Sequence, residues 1–338
     1  MENEKITMKD VARLAGVSLG TVSNVINNKA GVKAANQEKV QEAMRQLQFV
    51  PNMTAQQLRS NQSSVIGLIL PTITNPYYSE VAQSVSNEAG ANGMSTLLCV
   101  TNRSVEEEIR IFSELVSRRV LGIIAVKSAL PPDQLEEYSK QVRIVLIDCM
   151  PAAELYVDVV NTTNYDAVAD AVRYVNGLGH TKIAYMAGDM VFQSAVQRME
   201  GFRSGMKASR LAVSEESISV GDYSRESGYQ RGKELLRAVS RPTAVICANE
   251  MMAVGLYQAA EELGLRIPED LSVVGCDNTM LAGIISPKLT TIDQMSDQQG
   301  KTAVKLLLKR LRGDFSEMAR TYILQTSLVM NQSCARPD

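Results

Sequence analysis

The chain has 338 residues, of which 45% are apolar and 21% charged, with a formal net charge of −2. That length allows two or three domains with buried cores, and the near-neutral balance excludes a protein coated throughout by nucleic acid. The five cysteines are scattered and odd in number, which excludes a disulfide framework or a clustered metal site, and no apolar run approaches the ~18 residues of a membrane span.

The start, MENEKITMKD, is polar and acidic and does not read as a secretory signal, so a cytoplasmic protein with no membrane partner is expected. Charge is uneven along the chain. Residues 1–61 hold eight Lys/Arg against five Asp/Glu, a net +3, and the remainder is net −5. A weakly basic head on an acidic body suggests nucleic acid at one end only.

In ITMKDVARLAGVSLGTVSNVIN, Thr7 and Asp10 have the spacing of a capping box, and Val11, Leu14 and Ala15 follow at helical period. Gly16 suits a left-handed turn, and Ser18 can cap a second helix with Val22, Val25 and Ile26 on its inner face. A third helix, about 36–47, supplies Val40, Met44 and Leu47 to close a small core. Two short helices joined by a tight glycine turn predict a helix-turn-helix over residues 1–50, whose second helix enters the DNA major groove. Its outward residues are Ser18, Leu19, Gly20, Thr21, Ser23, Asn24 and Asn27, and Thr7 adds a hydroxyl at the head of the first helix. Hydroxyls and amides suit phosphates and base edges, and Leu19 suits a thymine methyl group. A helical hairpin packed on protein has the same pattern.

PNMTAQQLRSNQ (51–62) is polar except for Met53, Leu58 and small residues. Asn52 can cap about two turns of helix containing Ala55 and Leu58, too short to be stable alone in water. Folding coupled to DNA binding is expected there.

Beyond residue 62, short apolar runs recur at 65–70, 95–100, 122–126, 144–148, 182–187, 244–248 and 271–276. Amphipathic segments lie between them at 76–92, 105–118, 164–178, 225–238 and 249–263. Apolar strands alternating with helices predict doubly wound parallel sheets in an α/β body, which is long enough for two lobes. Polar residues end several of these runs: Asp148 closes IVLID, Asn249 follows AVICA, and Asp277 follows VVGC. Gln294 follows LTTID, and Arg198 opens the RMEGF segment. A carboxylate accepts from vicinal hydroxyls, and an arginine fork donates to hydroxyl or ring oxygens. Tyr77, Tyr78 and Tyr223 could stack on an apolar ring face, and Ser194 is a further polar candidate. Strand-end Asp and Asn are equally able to cap the helices that follow, and the two adjacent tyrosines to pack within a lobe.

The head motif, QLQFVPN, AQQL, NPYYSE, VLGIIAV, IVLID, GLGHTKIAYMAG, QRMEGF, PTAVICAN, LSVVGCDN and LTTIDQ together resemble the lac repressor (LacI/GalR) family of bacterial transcription regulators along essentially the whole chain. The resemblance implies a hinge helix at 51–62 whose Leu58 wedges into a minor-groove base step. It implies a body over 63–338 that binds an effector and dimerises, with an N-lobe of about 63–161 and 295–324 and a C-lobe of about 162–294 and 325–338. It places Arg198, Tyr223, Asn249, Asp277 and Gln294 on the effector, and reads the only histidine, His180, as structural. One departure stands out. Sugar-responding relatives often carry Arg after the IVLID aspartate, and here Cys149 follows Asp148.

No HExxH, CxxC or P-loop motif is present, and no cofactor is implied. The expectation is a non-enzymatic homodimeric repressor with two partners, double-stranded operator DNA and a sugar-like effector. The tail LVMNQSCARPD has no leucine heptad of the kind that makes tetramers. A nucleobase or nucleoside effector, a solute-binding protein and a cleft enzyme of sugar metabolism are the competing readings.

Overall fold

The computed structural model describes residues 6–26, 31–49, 63–150, 157–314 and 320–337. Asn27 and the hinge positions Asn52, Ala55 and Leu58 lie outside the described residues. The chain divides into two compact units, residues 1–63 and 64–338.

The first unit holds three helices: α1 (Met8–Ala15), α2 (Leu19–Ile26) and α3 (Ala34–Gln46). The Asp10 carboxylate accepts from the Thr7 backbone N–H at 3.0 Å and from its hydroxyl at 2.7 Å, which fixes the start of α1. Gly16 stops α1 with φ +65°, and Ser18 Oγ accepts from the Thr21 N–H at 3.1 Å to start α2. Val11, Ala12, Ala15, Val22, Val25, Val40 and Ala43 form the core, with Ile26, Met44 and Leu47 partly buried around it. Leu14 departs from the expected pattern and is 49% exposed. The small side chains of Ala12 and Ala15 fill the inner face of α1 in its place.

The second unit begins with β1 (Val65–Leu70), α4 (Pro76–Ala91), β2 (Ser95–Val100), α5 (Val105–Ser117), β3 (Gly122–Val126), α6 (Pro132–Gln141), β4 (Arg143–Ile147) and β5 (Asp158–Thr162). It continues with α7 (Asn164–Gly177), β6 (Ile183–Ala187), α8 (Gln193–Ala208), β7 (Ile218–Val220), α9 (Arg225–Arg237), β8 (Ala244–Cys247), α10 (Glu250–Glu262), β9 (Ser272–Asp277), α11 (Met280–Ile284) and β10 (Thr290–Asp293). It ends with α12 (Ser296–Leu311), β11 (Thr321–Leu324) and β12 (Ser327–Val329). The strands make two sheets, ordered β11-β5-β4-β3-β1-β2 and β12-β10-β9-β8-β6-β7. Pairing is parallel except at β12, which runs antiparallel to β10. The chain passes between the sheets after β5, after β10 and after β11.

Strands β1, β3, β4, β6, β8 and β9 are almost wholly buried, as expected for parallel strands covered by helices on both faces. Strands β5, β7, β10, β11 and β12 were not expected as such. They are three to five residues long and include DVVNT and TTID, too short and too polar to read as apolar runs. Asp158 at the start of β5 receives a bidentate grip from Arg310 at 2.7 and 2.8 Å, which ties the last turn of α12 to the first sheet. His180 is buried beside the starts of β8 and β9, at the opposite ends of those strands from Asn249 and Asp277. Its Nδ1 meets Thr243 Oγ1 at 2.9 Å, and its Nε2 meets Ser272 Oγ and the Ala335 carbonyl, each at 2.9 Å.

Candidate functional site

The carboxyl ends of the two parallel sheets face each other across a cleft, where loops after the strands carry the polar residues. Strands β3 and β4 pair in register up to Val126 opposite Ile147. The next residue on each strand is therefore Lys127 and Asp148, side by side. Both turn with positive φ, 51° and 55°, which lifts their side chains off the sheet. Lys127 Nζ lies 3.2 Å from Asp148 Oδ2, with the two side chains only 5% and 9% exposed. Ser194 of α8, from the other lobe, donates its hydroxyl to the same Asp148 oxygen at 3.1 Å. The Lys127 ammonium also sits 4.4 Å from the Tyr223 ring centre and 5.1 Å from that of Phe192, both from the second lobe. Burial opposes the Lys127 charge, but the surrounding Tyr223, Tyr78 and Asp148 outweigh it and hold its pKa well above that of a free lysine.

Sequence reasoning missed Lys127. It follows the GIIAV run directly, so the rule that singled out Asp148, Asn249 and Asp277 points to it as well. Cys149, where the family resemblance raised the expectation of an arginine, turns its sulfur into the first lobe's core and accepts from the Ser128 N–H at 3.1 Å. Burial pushes its thiol pKa up. The cation of this site thus comes from the neighbouring strand.

Tyr223 (φ +68°) is 5% exposed, and its ring lies over Gly188, where a Cβ would fall 2.0 Å from Cζ. Asn249 caps α10 by accepting from the Met252 N–H at 2.9 Å, and its amide donates to the Tyr223 carbonyl at 3.0 Å. Both halves of Asn249 are therefore used, one in capping the helix and the other in holding Tyr223. Arg198 lies in the second turn of α8 rather than opening a helix, and is 3% exposed. Its Nε donates to Asn164 Oδ1 at 2.8 Å and an Nη to the Ala248 carbonyl at 2.6 Å. A buried guanidinium with only neutral acceptors keeps donors and charge to offer. Asp277 ends β9 and is buried beside Glu250, which accepts from Thr279 and Thr291. Burial, reinforced by Glu250, raises the Asp277 pKa well above the usual carboxylate value.

Gln294 sits at the second crossing. Its Oε1 accepts from Thr162 Oγ1 at 2.8 Å, while its buried Nε2 has no partner among the described residues. The buried Tyr223 hydroxyl is also without a partner among them. Tyr77 and Tyr78 pack edge to face at 5.2 Å inside the first lobe, and the Tyr77 hydroxyl donates to Gln299 Oε1 at 3.0 Å. Tyr77 is thus tied to α12, and Tyr223 and Phe192 form the aromatic surface against Lys127. Among the described residues no group of three His, Cys, Asp or Glu could hold a metal ion, and no helix is long and apolar enough to cross a membrane.

In the head, Ser18, Leu19, Gly20 and Asn24 are exposed on α2, and Thr21 and Ser23 are half-buried beside them. Gly20 is helical without positive φ, and a Cβ there would meet only Ser18 Oγ at 3.7 Å.

Residues 7–52 match the model of bacterial regulatory proteins of the lacI family, and residues 172–334 match a periplasmic binding protein-like domain. The HTH-type transcriptional repressor PurR of Vibrio cholerae serotype O1 is 36% identical over 309 residues, 90% of this chain and 91% of that protein. PurR of Vibrio vulnificus is 35% identical over 329 residues, 97% of this chain and 98% of that protein. The lac repressor dimer bound to operator and the anti-inducer ONPF superposes with a TM-score of 0.87 at 30% identity, covering 98% of this chain and 100% of that one. The regulator CelR in complex with cellobiose superposes at 0.73 with 27% identity, covering 97% and 99%. A LacI family regulator from Enterococcus faecium with bound ribose superposes at 0.73 with 31% identity, covering 80% and 99%. A lacI-type head, a two-sheet binding-protein-like body and repressor relatives matched nearly end to end agree: this chain belongs to the lacI family of bacterial regulatory proteins and is a DNA-binding transcription regulator.

Proposed function

We propose that the protein is a homodimeric, non-enzymatic repressor whose effector is a sugar or sugar derivative held between the two lobes. Residues 1–50 read the operator through Ser18, Leu19, Gly20, Thr21, Ser23 and Asn24, residues 51–62 form the hinge, and 63–338 bind effector and partner subunit. The observation that carries the effector reading is the pair of buried polar groups at the cleft without partners among the described residues, Tyr223 Oη and Gln294 Nε2. Unsatisfied buried groups are costly, so their retention favours a ligand that pairs with them. Arg198 and Asp277 supply a donor fork and an acceptor suited to hydroxyls. The cellobiose and ribose bound by the structural neighbours favour a sugar. The flat faces of Tyr223 and Phe192 also suit a base, which keeps a nucleobase or nucleoside as the second reading. Coupling is a population shift, in which effector favours one lobe arrangement and thereby one DNA affinity.

The test is selection of a site from a random duplex library with the full chain, followed by gel shifts on that site across a series of sugars and nucleobases. The expected result is a near-palindromic site whose affinity one ligand class changes at least tenfold. A selected site bound equally tightly throughout the series contradicts effector control, and absence of any selected sequence contradicts operator reading.

A further inference from the structure

At the mouth of the cleft lies a cavity of about 280 Å³ shared by the two lobes. The first lobe contributes Thr72, Thr74, Asn102 and Arg103, and the second contributes Ser224 and Arg225, with Tyr223 at the inner end. No carboxylate lines it. The two arginines come from opposite lobes, and neither makes an ion pair among the described residues. Arg103 donates to the Asp222 carbonyl at 2.7 Å, and Arg225 donates to Gln258 Oε1 at 2.8 Å. The Asp222 carboxylate lies close enough to Arg103 to feel its charge, and it accepts from the Ser224 N–H at 2.8 Å.

Folding does not explain this arrangement. Arg225 is the first residue of α9, where a cation faces the positive end of the helix dipole and works against it. Two guanidiniums, hydroxyls and amide groups around one cavity are the chemistry of an anion site. The residue whose buried hydroxyl supports the effector reading also borders this cavity. Tyr223 lines the cavity and is 5% exposed, and its buried hydroxyl has no partner among the described residues.

We infer that the effector carries an acidic group, phosphoryl or carboxyl, and that this mouth is its seat, with Arg103 and Arg225 closing on it from the two lobes. The inference rests on the effector reading above and narrows it to an anionic ligand class. It also gives lobe closure a cause: an anion bridging two cations on different lobes favours the arrangement that brings them together. Uncharged ligands lack that bridge.

The seat is tested without knowing the effector by titrating the full-length protein with inorganic phosphate at constant ionic strength, following the melting temperature. Wild type should show saturable stabilisation at millimolar phosphate, and the Arg103→Gln/Arg225→Gln double variant should lose it while keeping its own phosphate-free melting temperature. No saturable effect in wild type, or the same effect in the variant, overturns the inference. Calorimetric titration with glucose, glucose 6-phosphate and gluconate, and with ribose and ribose 5-phosphate, then separates the two acid types. A phosphate ester or a sugar acid should bind at least tenfold more tightly than its neutral parent, with the difference erased in the double variant. Equal affinity of the neutral and acidic members, or none of them binding, overturns the anionic class. Acidic ligands that bind but leave operator affinity unchanged would instead refute effector control and leave the anion seat standing.

Discussion

The Lys127 ammonium and the Asp148 carboxylate form a 3.2 Å ion pair at the ends of adjacent strands, in a cleft wall where both side chains are almost fully buried. The pair joins the lobes through its surroundings, because Ser194 holds Asp148 and Tyr223 and Phe192 hold Lys127 from the opposite side. Breaking such a pair from one end strands a charge, whereas replacing both ends with neutral groups need not. Lys127→Met should therefore cost about 3–5 kcal/mol of stability in urea denaturation. The double variant Lys127→Met/Asp148→Asn should recover most of that loss. Additive effects of the two substitutions would show that the pair is not coupled.

Tyr223 stands in the cleft because residue 188 has no side chain. A Cβ there would overlap the ring, with Cζ at 2.0 Å and both Cε atoms within 2.4 Å. Gly188→Ala should displace the ring, cost about 1–3 kcal/mol from overpacking, and weaken ligand-induced stabilisation. Adding Tyr223→Ala should restore stability but not ligand response. Urea denaturation of the single and double variants checks the first outcome, and thermal shift with a bound ligand checks the second.

Much of this was legible in the sequence, for physical reasons that also mark where it stopped. Strands such as VIGLIL and GIIAV are buried on both faces by helices, so they read as unbroken apolar runs. DVVNT and TTID are strands because neighbours pair with them, and neither has a pattern of its own strong enough to show it. Asp148 and Asp277 were visible as polar residues ending apolar strands, and Lys127 is the same kind of signal left unused. The Tyr223 contacts with Phe192 and Gly188 span more than thirty residues of chain, and no local pattern encodes them. Asn249 shows the ambiguity of the strand-end rule, since it both caps a helix and anchors a cleft residue.

His180 gives the body a pH dependence of known sign. It is buried among Thr243, Ser272 and the Ala335 carbonyl, and burial lowers its pKa below the ordinary histidine value. The unfolded chain, with a pKa of about 6.5, takes up the proton first as pH falls. Its contribution is complete above that value and is lost as pH drops towards the folded pKa, at up to about 1.4 kcal/mol per unit. Asp277 and Glu250 act in the opposite sense, because burial raises their folded pKa values and acidification relieves their charge. The His180 effect is therefore read as a difference. Between pH 7.5 and 5, wild type should lose more stability than His180→Gln, each measured by urea denaturation. Parallel pH profiles would contradict the assignment.

Gly20 is a glycine that folding does not require. It lies in the first turn of α2 with ordinary helical backbone, and its added Cβ would find only Ser18 Oγ at 3.7 Å. A helical glycine in such open space costs about 0.5–1 kcal/mol relative to alanine, so the head carries it at the expense of its own stability. The adjoining Leu19 is exposed, an apolar side chain beside a bare backbone on the face proposed to read DNA. On that proposal, bases approach closely at residue 20 and meet an apolar contact at residue 19. Gly20→Ala should leave the protein as stable or slightly more stable, yet weaken binding to its selected operator by tenfold or more. Nonspecific, salt-sensitive binding should change little, since that depends on cations elsewhere in the head. The check pairs urea melts of the isolated variant with gel shifts on selected and scrambled duplexes at two salt concentrations. Loss of affinity for both duplexes in equal measure would mean that Gly20 serves the fold of the head, and that the bases are read elsewhere on α2.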